Sequence, residues 1–362
     1  MNVATLTLPL HTNYGGVMQA YALQKVIEEL GHSSELIQLT PAAFRPTYKV
    51  VLSKLKGVVS SFVTKNIHKN RNLYFEDFIN NEIVRTKPIE FLHQLNSRTV
   101  QKFDAYVVGS DQVWRQDYAG NIESYFFDFM KSNKTLLSYA ASFGGDVWGY
   151  NDKQTENCSK LAKRFTAISV RESAGADLCQ KHLDVHAERL LDPTLLLDVK
   201  YYEDLIAKYS SQDEHISSGI FAYILDMNLD KETVINDVAN TLNEDVNIFN
   251  KGLKTSQKQN FGDWLKGFKN AAFVVTDSFH GVAFSIIFNK PFIAIGNIER
   301  GLSRFETILG VFNLRERLLT SGNANVSTII STDIDYSMVN EILANEKTRS
   351  LNFFTSNLPN KK

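Results

Sequence analysis

The sequence predicts an α/β protein with two domains in series and mainly parallel sheets, on three observations. The chain has 362 residues, about twice the roughly 150 residues of an ordinary domain. Short apolar, β-branched runs recur, each followed by a turn and then a stretch of helical period, which is the pattern of parallel α/β units. A polar stretch, Ser210 to Ser218, separates an earlier series of such units from a later one. Domains at 1–205 and 206–330 follow, with 331–362 a C-terminal helix or tail.

The first run is Asn2 to Leu8. From Val17 to Leu30, apolar residues at Met18, Tyr21, Ala22, Val26 and Leu30 fall on one helical face, and Gly31 ends it. Ser34 to Leu39, Ala105 to Val108, Leu136 to Ala140 and Ala167 to Val170 are the next strands, and Leu190 to Thr194 closes the first series. Ile220 to Leu225, Val246 to Phe249, Phe273 to Thr276 and Phe292 to Ile295 supply the second. Ligands of such sheets bind beyond the carboxyl ends of the strands, so the residues just after each strand carry the functional weight.

Composition excludes several classes. Hydrophobic residues make up 43% of the chain and Lys+Arg 39 nearly balances Asp+Glu 40, which excludes a disordered chain and argues against a dedicated nucleic-acid binder. Cys158 and Cys179 are far apart, too few for a disulfide framework or a thiolate metal site, and fit a reduced compartment. No run approaches the roughly 18 apolar residues that span a bilayer, and the N-terminus lacks the basic start and apolar stretch of a secretory signal. A cytoplasmic protein is expected.

One segment breaks the even charge. Pro41 to Arg71 holds seven Lys and Arg and no Asp or Glu. Val51, Leu55, Val58, Val59 and Phe62 form one helical stripe there, with Lys54, Lys56 and Lys65 elsewhere on the wheel. This is either an ordinary packed helix with a solvated basic face or a helix that meets anionic head groups or a lipid diphosphate.

Several strand exits carry candidate chemistry. Asn13-Tyr14-Gly15-Gly16 feeds the first helix, where paired glycines let the backbone approach a ligand or serve geometry alone. Gly109-Ser110-Asp111-Gln112 follows the third strand with polar groups placed for hydrogen bonding, and Trp114 either stacks on a sugar or caps the core. Ser142-Phe143-Gly144-Gly145 follows the next strand. Arg171, at another exit, suits a phosphate or carboxylate, or else pairs with Glu172 at the surface. Asp277-Ser278-Phe279-His280-Gly281 is the sharpest of these: a strand delivers Asp277 and Ser278 as possible caps and His280 into the first helical turn, in reach of acid chemistry. His182 and His186 stand four apart, but no HExxH pattern or third ligand accompanies them, and they are expected on a surface helix; no metal site emerges. The absence of a P-loop, a GxSxG elbow or a kinase signature leaves cofactor-free transfer or simple binding.

Together, NYGGVMQAYALQ (Asn13 to Gln24), FDAYVVGSDQVW (Phe103 to Trp114), SYAASFG (Ser138 to Gly144), SVRES (Ser169 to Ser173), LDPTLLL (Leu191 to Leu197), VVTDSFHGVAFSIIFNKPFIAI (Val274 to Ile295) and SRF (Ser303 to Phe305) resemble the polysaccharide pyruvyl transferase family. The resemblance implies two Rossmann-like domains arranged as in GT-B glycosyltransferases, with the active site between them. It implies transfer of the pyruvyl group of phosphoenolpyruvate to two hydroxyls of a sugar, as a cyclic ketal with release of phosphate, in capsule, exopolysaccharide or cell-wall glycan synthesis.

Carried over by the resemblance, Arg171 holds the donor's anionic groups and His280 contacts its phosphate and supplies a proton, with Ser278 and the N–H groups near Gly281 completing the pocket. The family's Arg-Leu-His reads Ser278-Phe279-His280 here, so Arg304 or Arg300 on the following loop is expected to replace the missing cation. The acceptor is expected against Asn13, Tyr14, Ser110, Asp111, Gln112 and Trp114, with Asp111 accepting a hydroxyl proton or orienting it. A lipid-linked acceptor would give the basic segment 41–71 the purpose of holding the enzyme at the membrane. Two other readings share the architecture: a nucleotide-sugar glycosyltransferase, and a non-catalytic glycan-binding homologue.

Overall fold

Runs of β-branched and apolar residues bounded by turns become strands buried on both faces. The computed structural model describes residues 1–10, 13–44, 73–131, 134–211, 218–250, 260–296, 301–320 and 326–358. The first sheet comprises β1 (Asn2–Leu6), β2 (Ser33–Leu36), β3 (Ala105–Val108), β4 (Thr135–Ala141), β5 (Ala167–Val170) and β6 (Glu188–Arg189), in the order β2-β1-β3-β4-β5-β6. The second comprises β7 (Ile220–Ile224), β8 (Val246–Asn250), β9 (Phe273–Thr276), β10 (Phe292–Ile295) and β11 (Leu318–Leu319), in the order β11-β10-β9-β7-β8. The pairings in both are parallel, with Val3 opposite Ala105 and Ile220 opposite Phe273 among the registers.

Each sheet starts in its interior, steps outward once and then reverses past its first strand. The reversal lies between β1 and β3 in one sheet and between β7 and β9 in the other. At such a switch point the connections leave to opposite faces and open a crevice beyond the strand ends.

The elements differ from expectation mainly at their ends. β1 stops at Leu6 and β2 at Leu36. Helix α1 (Tyr14–Glu29) starts earlier than Val17, because the Asn13 side chain accepts the Gly16 N–H at 3.3 Å and caps it. The closing strand of the first series is Glu188–Arg189; Leu190 to Thr194 instead leads into a tight turn at Pro193–Leu195, capped by Asp192. His182 stacks on Trp148 with centroids 4.5 Å apart, and the helical turn carrying it ends at Leu183, so His186 lies beyond that helix. The basic segment lies outside the described residues beyond Phe44, as does Arg300.

The remaining helices of six or more described residues are α2 (Leu73–Glu82), α3 (Asp152–Ala162), α4 (Ser173–Leu178), α5 (Val199–Tyr209), α6 (Leu229–Leu242), α7 (Phe261–Asn270), α8 (Phe279–Ile287), α9 (Ser303–Val311), α10 (Val326–Ser331) and α11 (Tyr336–Asn357). The two sheets share one apolar cluster. Tyr14 at the start of α1 is its keystone, meeting Phe75 of α2 at 4.6 Å and Phe249, Phe261 and Trp264 of the second sheet's layer at 5.1–5.3 Å between centroids. Helix α11 returns from the second sheet to the first, where Phe354 packs on Tyr139 at 4.3 Å and Ser350 Oγ accepts the Leu191 N–H at 3.3 Å. Among the described residues no helix is long and apolar enough to cross a membrane.

Candidate active site

The two switch points face each other across a cavity of about 450 Å³. Its wall on the first sheet carries Asn13 after β1, with Asp111 and Gln112 after β3; its wall on the second carries Ser278 and His280 after β9, and Arg304 of α9. Each is delivered by the strand-to-helix geometry that ends a parallel unit.

Asp111 sits in the left-handed region, with φ of 64°. That conformation is uncommon for a residue with a side chain, and here it turns the chain sharply so that the carboxylate stands at the cavity. Its Oδ1 lies 3.7 Å from Arg171 Nη2.

Arg171 leaves β5 into a buried ionic cluster. Its Nη1 donates to Asp192 Oδ2 at 3.0 Å, its Nε to Glu172 Oε1 at 3.3 Å, and its guanidinium lies 4.1 Å from the centre of the Phe279 ring. The pairing with Glu172 is therefore internal, each side chain being 2% exposed, and not a surface contact. Burial opposes the charge, but Glu172, Asp192 and Asp111 outweigh it and raise the guanidinium above its ordinary value. Arg171 Nη2 is nonetheless buried without a hydrogen-bond partner.

His280 occupies the first turn of α8, whose cap residue Ser278 makes no side-chain capping bond. The imidazole lies against Gly15 of α1 so closely that a Cβ at that glycine would fall 2.0 Å from Nδ1. Its Nε2 is buried without a hydrogen-bond partner, 3.8 Å from Asp192 Oδ2. Burial lowers the pKa below that of an ordinary histidine; Asp192 and Asp111 pull it up, while Arg171 and Arg304 push it down. Arg304, on the first turn of α9 and not on a loop, is 8% exposed and lowered to about 10, first by burial and then by Arg171.

Other expected site residues take different places. Trp114 is 0% exposed, its ring stacked on Phe126 at 4.7 Å and its indole N–H given to the Tyr125 carbonyl, so it belongs to the first core and not to a sugar platform. Tyr14 is the keystone between the sheets described above. Ser110 is buried, its single hydroxyl hydrogen shared between the Ala140 carbonyl at 2.8 Å and Asp192 Oδ2 at 3.0 Å. Gly281 faces β9, where a Cβ would meet Thr276 Oγ1 at 2.0 Å. Asp277 binds the Leu225 N–H at 2.6 Å and Lys231 Nζ at 2.7 Å, joining the exits of β7 and β9.

Two acidic residues at the centre of the cluster were not among the expected site residues. Asp192 is buried and receives Arg171, Ser110, and both the N–H and Oγ1 of Thr194. Glu172 accepts Ser142 Oγ at 2.7 Å. The Asp-Pro pair at 192–193, a cap followed by proline in the first position of a turn, was the available signal for Asp192.

A family model of polysaccharide pyruvyl transferases matches residues 13–299. The chain belongs to the polysaccharide pyruvyl transferase family. Its fold is that of GT-B-like enzymes. The UDP-GlcNAc 2-epimerase of Methanocaldococcus jannaschii superposes with a TM-score of 0.53 at 10% identity over 98% of this chain and all of that one. The same epimerase with UDP-GlcNAc and UDP gives 0.51 at 10% identity and the same coverage. A Thermobaculum terrenum O-GlcNAc transferase gives 0.50 at 9% identity, over 99% of this chain and 66% of that one. No curated protein sequence matches the chain. In this pyruvyl transferase family member, the motifs that start at Asn13, Phe103, Val274 and Ser303 supply Asn13, Asp111, Gln112, Asp277, Ser278, Phe279, His280 and Arg304 to the cavity.

Proposed function

We propose that this chain transfers the pyruvyl group of phosphoenolpyruvate to two hydroxyls of one sugar, forming a cyclic ketal and releasing phosphate. The observation that carries the reading is that His280, Ser278 and Arg304 line one crevice with Arg171 directly behind its wall, against Phe279 and Asp111, and that Arg171 Nη2 and His280 Nε2 are buried without hydrogen-bond partners. Buried donors without acceptors are costly, and an incoming anion relieves that cost. The donor has two anionic groups; Arg171 takes the carboxylate, while His280, Arg304, Ser278 and the first-turn amides of α8 take the phosphate.

The chemistry follows from charge. The dianionic phosphate raises the imidazole's proton affinity, and His280 protonates the methylene carbon, leaving C2 electron-poor. A sugar hydroxyl attacks C2, the C–O bond to phosphate breaks, and the second hydroxyl closes the ring. Two hydroxyl protons are released; one replaces the proton given to the methyl group and the other leaves on the phosphate. Asp111 accepts the first of them, with Asn13 and Gln112 orienting the acceptor. The donor is a substrate, and no cofactor or metal enters the scheme. The acceptor is a sugar of a lipid-linked glycan, met at the inner face of the membrane by an otherwise cytoplasmic protein.

Calorimetric titration with phosphoenolpyruvate tests the donor assignment, followed by phosphate release in the presence of glycan acceptors. Saturable uptake is expected, weakened about tenfold or more in Arg171→Met through loss of a charge-assisted contact. No uptake by the wild type, or nucleoside diphosphate release from a nucleotide sugar, would overturn the reading.

A further inference from the structure

We propose that Asp192 is a positioning residue of this site: its Oδ2 locks the Arg171 guanidinium in place and favours protonation of His280 against the cost of burial. The inference rests on the reading above for its catalytic meaning, but its electrostatic content stands alone.

Asp192 has the geometry for both tasks. One oxygen faces Arg171 Nη1 at 3.0 Å, Ser110 Oγ at 3.0 Å and His280 Nε2 at 3.8 Å. The other is tied down by the Thr194 N–H at 3.1 Å and Oγ1 at 2.8 Å. The carboxylate therefore cannot rotate without breaking four hydrogen bonds, so its charge stays where the ring needs it.

The charged groups around His280 come from four places. Asp111 follows β3, Arg171 follows β5, Asp192 follows β6 and Arg304 belongs to α9. Two anions and two cations nearly balance, while Gly15 of α1 brings no charge. In that balance Asp192 is the anion fixed closest to Nε2, so its removal leaves the ring facing net positive charge as well as burial. Burial alone would raise the Asp192 carboxyl, but His280, Arg171 and the Thr194 N–H outweigh it and hold it below the usual carboxylate range, so the charge persists at neutral pH.

NMR titration of the His280 ring tests this, its signal being the one absent in His280→Gln. In Asp192→Asn the midpoint is expected to fall by about one pH unit, the lower end for loss of an opposite charge at such range. With active protein, kcat/KM falls about tenfold on the alkaline side and the pH profile moves the same way. A lowered melting temperature with an unmoved midpoint would mean that Asp192 only braces the fold, and would overturn the proposal. Should Asp192→Asn fail to fold, Ser110→Ala serves: losing the hydroxyl on Oδ2 strengthens the field at the ring and raises the midpoint, and no rise overturns the proposal. Absence of phosphoenolpyruvate uptake by the wild type would defeat the donor assignment while leaving these titrations to judge Asp192.

Discussion

His280 faces two demands that conflict. Burial favours the neutral ring, whereas protonation of a carbon requires the charged one. Anion binding reconciles them, so donor binding near neutral pH should draw a proton from solution. Calorimetry in two buffers of different ionisation enthalpy is expected to show net proton uptake, absent in His280→Gln; equal apparent enthalpies in both buffers for the wild type would exclude the imidazole as the acid. His280→Ala should lower turnover about 10²-fold or more. The linkage to stability has a definite sign: a folded-state pKa below the unfolded value of 6.5 means the contribution is fully present above pH 6.5 and is lost as pH falls toward the folded value. Thermal stability of the wild type should therefore decline on acidification below that point more than that of His280→Gln.

At the level of elements, the first turns of α1 and α8 meet head to head. Gly15 has no side chain because the His280 ring occupies the space a Cβ would need, at 2.0 Å from Nδ1, 2.3 Å from Cγ and 2.7 Å from Cε1. Alanine favours a helix over glycine by about 1 kcal/mol, so Gly15→Ala should fold almost normally yet displace the imidazole. Activity is expected to drop about 10²-fold, as for an error of about 1 Å in a reacting group. Gly16→Ala, whose Cβ would meet Asn13 Nδ2 and Asp111 Oδ2 at 3.3 Å, should be milder, and equal effects would refute the explanation. The same contact shows where sequence reading works and where it stops. Strands such as Ala105–Val108 and Phe273–Thr276 were legible to the residue because an unbroken apolar run, β-branching and flanking turns all agree there, and the motifs at their exits marked both walls of the cavity. Which side chains point into that cavity was not legible. Trp114 reads equally as a sugar platform or a core cap, and Tyr14 as an acceptor contact, because an aromatic residue after a strand looks alike in sequence whether it meets ligand or core. Asp192 was passed over because a lone carboxylate among leucines gains its meaning only from Arg171, Ser110 and His280, which are distant in sequence.

For the molecule as a whole, charge is distributed unevenly even though its sum is −1. The segment 41–71 carries seven basic and no acidic residues, which leaves 32 Lys+Arg against 40 Asp+Glu elsewhere, a formal −8. An acidic body joined to a basic segment is repelled by an anionic membrane except through that segment, which favours one orientation on the surface. The cavity's first wall includes Pro41 and Phe44, the start of the same segment, which is the link between that segment and the lipid-linked acceptor proposed above. Each basic residue near an anionic surface contributes about 1 kcal/mol, and replacing Lys54, Lys56 and Lys65 by Glu should therefore weaken partitioning by at least about 3 kcal/mol, roughly 100-fold or more. Flotation with vesicles containing anionic lipid measures this directly: the wild type should rise with the vesicles and the triple variant remain at the bottom, while neutral vesicles should retain neither. Equal flotation of both proteins would remove the segment from any role at the membrane.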